Sequence, residues 1–207
     1  MKLERLIVGP VGTNCYLLMN EETKEVVLVD PGDQAQRIRN KIEEMGGHPA
    51  AVLLTHGHFD HILGIPELKD LYSDIDIYAL EEENALLRDA SMNCSTQIGI
   101  PCTIRADHMV RDGEKLSLAG MNIEVIATPG HTKGSCCYYL PEEKALFSGD
   151  TLFAESVGRT DLPTGSMGQL NRSIKKLFAM LPDETDVYPG HEYATSIEHE
   201  KRYNPFA

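Results

Sequence analysis

The sequence predicts an α/β (α+β) fold in which two β-sheets pack together and helices lie outside them. Two observations predict it. Strand-length apolar runs form two series, each punctuated by helical segments instead of alternating strictly with them, which favours paired sheets over one doubly wound sheet. The 207 residues suit one well-buried domain spanning 1–207, and the 17 glycines and 11 prolines are spread along it with no repeat, linker or low-complexity tract.

Taken in order, Leu3–Val8, Cys15–Met19 and Glu25–Val29 read as short strands, the first two joined by a turn from Gly9-Pro10 to Gly12. Asp30-Pro31-Gly32-Asp33 ends the third. Gln34–Met45 carries Ile38, Ile42 and Met45 at helical spacing, and Gly46-Gly47 stops it. Ala51–Leu54 is a short buried strand. A short helix starts at Ile65-Pro66, a strand runs from Ile75 to Ala79, and a helix from Glu81 to Asp89. Ala90–Ile104, polar and broken by Gly99 and Pro101, is an irregular loop long enough to form a lid or substrate wall. Leu116–Leu118 and Met121–Ala127 are strands, and Ser135–Leu140 and Ala145–Ser148 form a hairpin around Pro141–Lys144. Gly168–Met180 is a helix with Leu170, Ile174, Leu177 and Phe178 on its apolar face. Thr185–Tyr188 is the last strand, and Thr195–Tyr203 a terminal helix closed by Asn204-Pro205.

A net charge of −13 argues against a nucleic-acid partner and an anionic membrane surface, although bound cations would reverse the sign locally. Residues 1–20 hold no run of signal-peptide length, and no stretch approaches the ~18–20 apolar residues that span a bilayer. A cytoplasmic protein is expected. The five cysteines, Cys15, Cys94, Cys102, Cys136 and Cys137, are odd in number and lack C-x-x-C spacing, so reduced thiols packed as small hydrophobes are expected. Adjacent Cys136 and Cys137 should face opposite sides of one strand.

The chemistry concentrates in Thr55–His61, THGHFDH, just after the strand Ala51–Leu54. His56, His58, Asp60 and His61 fall within six residues and are the nitrogen and oxygen donors that zinc, iron and manganese favour. In extended backbone, His56 and His58 would point one way toward one ion, with Asp60 and His61 turned toward a second. A helical HExxH site is excluded by the spacing. Three later segments also end a strand on a glycine followed by a donor: Thr128-Pro129-Gly130-His131, Ser148-Gly149-Asp150 and Tyr188-Pro189-Gly190-His191. Together they make five histidines and two aspartates, with Asp150 the natural bridge between two cations. His48, His108 and His199 lack such settings and read as surface or packing residues. Asp30 and Asp33 suit either braces behind the donors or strand-end caps.

With these motifs, Thr13-Asn14-Cys15-Tyr16-Leu17-Leu18, Asp30-Pro31-Gly32 and the closing Asn204-Pro205-Phe206, the chain resembles the metallo-β-lactamase-fold hydrolases, and among them the small glyoxalase II-like hydrolases. The resemblance implies a four-layered αββα sandwich with the site at one edge between the sheets. It implies that His56, His58 and His131 hold one metal, that Asp60, His61 and His191 hold a second, and that Asp150 bridges them. Two divalent ions are implied as cofactors, zinc being expected, with iron and manganese suited to the same donors. The expected reaction is hydrolysis of a small hydroxyacyl thioester by a hydroxide shared between the metals, with Asp60 orienting the nucleophile as the catalytic residue.

Larger glyoxalase II enzymes carry a C-terminal helical domain that helps bind glutathione, and this chain has no counterpart to it, so the thiol carrier is open. Arg159 and Tyr193 fall where those enzymes contact the carrier and are candidate substrate-binding residues. Gly158-Arg159-Thr160-Asp161-Leu162-Pro163 also looks like a segment of the iron-dependent persulfide dioxygenases, which makes that activity the alternative. The plainer reading of Arg159 and Asp161 is an ion pair bracing the loop. A lactonase shares all the donors. A two-zinc β-lactamase is less expected, since those usually carry Cys where Asp150 stands. A noncatalytic metal-binding module is disfavoured by the complete donor set. Without a helical domain, the loop at 90–105 is the candidate wall, as a lid or as a subunit contact completing the site in a homo-oligomer.

Overall fold

A computed structural model describes residues 1–207. The first half forms β1 (Lys2–Val8), β2 (Thr13–Met19), β3 (Glu25–Val29), α1 (Ala35–Glu44), β4 (His48–Leu53), α2 (Phe59–Ile62), α3 (Ile65–Leu71), β5 (Asp76–Leu80), α4 (Asn84–Leu87) and β6 (His108–Val110). The second half forms β7 (Lys115–Leu118), β8 (Met121–Ala127), β9 (Cys136–Leu140), β10 (Ala145–Gly149), β11 (Leu152–Phe153), β12 (Ser156–Val157), α5 (Met167–Met180), β13 (Asp186–Pro189), β14 (Thr195–Ser196) and α6 (Ile197–Tyr203). The two series of apolar runs build two six-stranded sheets, ordered β1-β2-β3-β4-β5-β6 and β14-β13-β10-β9-β8-β7. Hairpins give antiparallel pairs, whereas β3-β4-β5-β6 and β10-β13 are parallel, the pairing that a crossover through α1, α3 or α5 permits.

Strand alternation decides the layers. Tyr16, Leu18, Val27, Val29, Ala51 and Leu53 turn one way and meet Ile123, Val125, Cys136, Tyr138, Leu140 and Phe147 of the other sheet in a central core. The intervening Leu17, Val26, Leu28 and Val52 pack under Ile38, Ile42 and Leu68 of α1 and α3, while Ile126, Cys137, Leu146 and Val187 pack under Ile174 and Leu177 of α5. The result is the αββα order of four layers. Because both faces are covered, β2, β9 and β10 are buried along their whole length, which explains their near-continuous apolar sequence. Each fully buried Leu or Ile of α5 contributes on the order of 1.5–3 kcal/mol relative to exposure. Cys136 and Cys137 separate into the central and outer cores, and all five cysteines are free.

Several details differ from expectation. The expected helix at 81–89 is a 3-10 turn, Glu81–Glu83, followed by the single turn of α4. The loop at 90–104 contains a second 3-10 turn, Ser95–Ile98, and is tied internally: Asn93 Nδ2 donates to the Cys102 carbonyl at 2.8 Å and the Cys102 amide to Ser95 Oγ at 2.9 Å. The terminal helix begins at Ile197, after Thr195 and Ser196 have extended the second sheet as β14. Strands β6, β11 and β12 are too short to give an alternating signal. No helix is long and apolar enough to cross a membrane.

Candidate metal centre

Four strand ends converge at one edge of the sandwich: those of β4 from the first sheet, and of β8, β10 and β13 from the second. They deliver the four donor motifs to one place. The extended backbone expected through His61 persists only to His58, where the chain turns into α2, so Asp60 and His61 leave from successive positions of a helical turn. The grouping is the same by another route. His56, His58 and His131 each bring one donor atom into a common cluster within 4.8 Å, as do Asp60, His61 and His191.

Asp150 stands between the groups. Its Oδ1 lies 3.5 Å from His61 Nε2, and its Oδ2 lies 3.5 Å from His131 Nε2 and 3.6 Å from His191 Nε2. His58 Nδ1 and His131 Nε2 are 2.8 Å apart, and Asp60 Oδ2 is 3.2 Å from His191 Nε2. Gly190 is required by this close approach, since a Cβ there would fall 2.3 Å from Asp150 Oδ1.

Hydrogen bonds behind the cluster orient the rings. The Asp30 carboxylate, 1% exposed, accepts from Thr55 N at 2.8 Å, Thr55 Oγ1 at 2.6 Å and His61 Nδ1 at 2.9 Å. Thr55 has given its proton to Asp30, so its oxygen accepts from His56 Nδ1 at 3.1 Å. The Arg159 carbonyl accepts from His131 Nδ1 at 2.7 Å. Each acceptor keeps the proton on Nδ1 and leaves the Nε2 lone pair facing the cluster. Asp30 also lies near His56 and His61 as a possible third donor group, but its oxygens are already engaged, and it serves as the brace.

The fit to divalent cations rests on what remains unbonded. His56 Nε2, His61 Nε2 and Asp150 Oδ1 are buried without a hydrogen-bond partner, and His58 turns its Nδ1 toward His131 Nε2, 2.8 Å away. Such orphaned donors and acceptors are costly unless something else satisfies them. Neutral imidazole with carboxylate is the donor chemistry of zinc, iron and manganese, so the residues fit.

The electrostatics separate the two groups. Burial, and then the neighbouring His61, His131 and His58, holds His56 well below the usual imidazole range, and burial followed by His131 lowers His58 to about 3. Both are therefore neutral and carry a free lone pair. Burial opposes charge on His61, yet Asp60, Asp30 and Asp150 outweigh it and raise that ring's pKa. Burial likewise opposes ionisation of Asp60, but His61 and His191 hold its carboxyl well below the usual range.

A cavity of about 520 Å³ opens onto the cluster, lined by His58, Asp60, His131, Asp150 and His191 and walled by Val11, Phe59, Phe153 and Leu162. Arg159 lines it, but its fork is occupied by Asp161 through bonds of 2.6 and 2.7 Å. Tyr193 is 77% exposed and outside the lining. Of the loop at 90–105, Cys94 alone reaches the cavity.

Sequence reasoning left other contributors unassigned. Thr13 Oγ1 donates to Asp60 Oδ2 at 2.9 Å. The turn carrying His191 is held from the first sheet: Asn14 Nδ2 and Tyr16 Oη donate to the Pro189 carbonyl at 2.9 and 2.7 Å, and Arg5 donates to the Glu192 carbonyl at 2.9 Å. Tyr16 therefore both packs in the central core and fixes a donor turn. The signal for Thr13 and Asn14 was their place at the start of β2.

The αββα fold and the histidine–aspartate cluster together define a metal-dependent hydrolase class. The chain belongs to the metallo-beta-lactamase superfamily, whose family model matches residues 8–191. It is 38% identical over 208 residues to the probable metallo-hydrolase YqgX of Bacillus subtilis (strain 168), covering 100% of this chain and 97% of that one. It is 34% identical over 209 residues to the hydroxyacylglutathione hydrolase GloC of Haemophilus influenzae, covering 100% and 98%. Among solved structures, it is similar to the BLEG-1 B3 metallo-beta-lactamase at a TM-score of 0.93 and 38% identity, covering 99% of each chain. The di-iron-bound form of TTHA1623 matches at 0.88 and 34%, covering 99% of this chain and 100% of that one. ETHE1 from Myxococcus xanthus matches at 0.83 and 33%, covering 99% and 84%.

Proposed function

We propose that the protein hydrolyses small thioesters of the hydroxyacyl-thiol type at a dinuclear centre. The observation that carries this reading is the pair of donor groups joined by Asp150 at the floor of a cavity with apolar walls. His56, His58 and His131 would hold one divalent ion, Asp60, His61 and His191 the other, and Asp150 would touch both. Such ions lower the pKa of water toward about 7 and polarise a carbonyl. Asp60, fixed by Thr13, would accept a proton of the attacking water and so orient it. A thiolate leaves without a dedicated acid, which suits a site whose nearest ionisable groups are already committed as donors.

Val11, Phe59, Phe153 and Leu162 would exclude water from the thioester and receive its apolar parts. Arg159 would read an anionic group on the thiol half. Its pair with Asp161 is 62–67% exposed and screened by solvent, so a substrate carboxylate can displace it. Tyr193 would meet only a carrier extending beyond the rim. The GloC relative supports the thioester reading, and the ETHE1 neighbour keeps persulfide oxidation as the alternative.

The test is elemental analysis of protein purified without added metal, followed by assays on hydroxyacyl thioesters of several thiols, a lactone, a cephalosporin and a persulfide. Two metal equivalents with preferential thioester turnover support the proposal. Oxygen uptake with a single iron replaces it with the dioxygenase, and preference for the lactone or cephalosporin redirects the substrate assignment.

A further inference from the structure

Glu83 is the last residue of the triplet Glu81-Glu82-Glu83, and it alone of the three is buried, at 1% exposure. No Lys or Arg pairs with it. Its Oε1 accepts from the Gly57 amide at 2.8 Å, and its Oε2 accepts from Thr132 Oγ1 at 3.0 Å and the Gly134 amide at 2.9 Å. Thr132 Oγ1, having donated to Glu83, accepts from Ser135 Oγ at 2.7 Å, and Ser135 Oγ accepts from the Thr132 amide at 3.0 Å. The bonds form a closed set. Gly134 sits directly against the 3-10 turn, since a Cβ there would fall 2.2 Å from the Glu83 amide nitrogen.

The position of these donors in the chain gives the contact its meaning. Gly57 lies between His56 and His58, and Thr132 follows His131. One carboxylate therefore grips the loop after β4 from the first sheet and the loop after β8 from the second, each within one residue of a donor histidine. We propose that Glu83 is a positioning residue for the three-histidine group, setting the separation of the two loops that carry it. This rests on the dinuclear reading above. A carboxylate buried without a counter-ion is costly when its only return is to satisfy amides that neutral groups could serve. A cation held by the neighbouring histidines would supply that compensation.

The experiment is a stepwise cobalt(II) titration, with chelator competition, of metal-free wild-type protein and Glu83→Gln. Visible absorption counts the ions, and paramagnetically shifted imidazole N–H signals tell the two groups apart. Glutamine keeps the volume but removes the charge and aims an amino group at Gly57 or at Thr132 and Gly134. Wild type should bind two equivalents. In Glu83→Gln the three-histidine group should bind about 10–100-fold more weakly, the loss typical of removing a group behind a metal ligand, while the Asp60, His61 and His191 group is unchanged. Equal weakening at both groups, or none, overturns the proposal and leaves the dinuclear reading standing. A wild type that binds no cobalt overturns both. If the variant does not fold, amide exchange in metal-free wild type decides: Gly57 and Gly134 should be protected before any ion binds, and fast exchange at either refutes the preset spacing.

Discussion

Replacing Asp30 by asparagine preserves shape and reverses one polarity. The three donors that converge on Asp30 are the Thr55 amide, the Thr55 hydroxyl and His61 Nδ1, all buried. The amide cannot turn away, so the asparagine oxygen must face it, and the new amino group then meets the hydroxyl and the imidazole. The hydroxyl can rotate to accept. His61 can accept only by moving its proton to Nε2, which blocks the atom facing Asp150 at 3.5 Å. Hydrogen bonds to a charged group contribute about 1.5–3 kcal/mol against about 1 kcal/mol for neutral pairs, so weakening the set should lower stability by roughly 2–4 kcal/mol. On the proposed dinuclear reading, the altered tautomer should weaken binding of a cation at Asp60, His61 and His191 by about 10–100-fold. Urea unfolding of the metal-free protein reads the first effect, and zinc competition against a chelator reads the second. A variant with wild-type unfolding midpoint and wild-type zinc affinity refutes the orienting role.

Three further outcomes are expected. Asp150→Ala should abolish turnover and reduce metal content to one ion or none, because it leaves two cations repelling each other with one fewer anion between them; near-normal activity with two metals rules this out. Arg159→Ala should keep metal content, since His131 is held by the Arg159 backbone carbonyl, and should raise KM for thioesters with an anionic carrier but not for neutral ones. Loss of metal in that variant would show that the side chain braces the loop instead. In native protein a thiol reagent should modify Cys102, the one half-buried thiol, first, since burial pushes the Cys137 thiol up to about 11 and holds Cys15 and Cys136 well above the usual range. Rapid labelling of all five cysteines without denaturant would contradict the packed cores.

The donors were legible because each sits at a strand end marked by glycine, and because THGHFDH compresses four of them into one loop. The two sheets were legible because strands buried on both faces are written in apolar residues. What escaped was set by distant contacts. Asp30 was left between brace and cap, since its partners lie 25 and 31 residues away. Nothing in Glu81-Glu82-Glu83 marks the third residue as buried, and only the arrival of loops 26 and 51 residues distant makes it so. The four residues of α2 make a single turn, too few for a helical period to repeat, so in sequence Asp60 and His61 read as extended. The loop at 90–105 looked free in sequence because its ties run through Asn93, Ser95 and the Cys102 backbone, polar groups that read the same in a mobile loop.

The grip of Arg5, Asn14 and Tyr16 on the turn around His191 joins the two ends of the chain across 173 to 187 residues. A ribosome exposes this hairpin 173 to 187 residues before the turn it must hold. The three-histidine group has all its members once residue 131 has emerged, but the second group waits for residue 191 and for the sheets to dock. Contacts so far apart in sequence are entropically expensive to form early and slow the search for the native state. On the proposed dinuclear reading, metal uptake during synthesis should therefore occur in two stages, and capture of the second ion should report that the two sheets have docked.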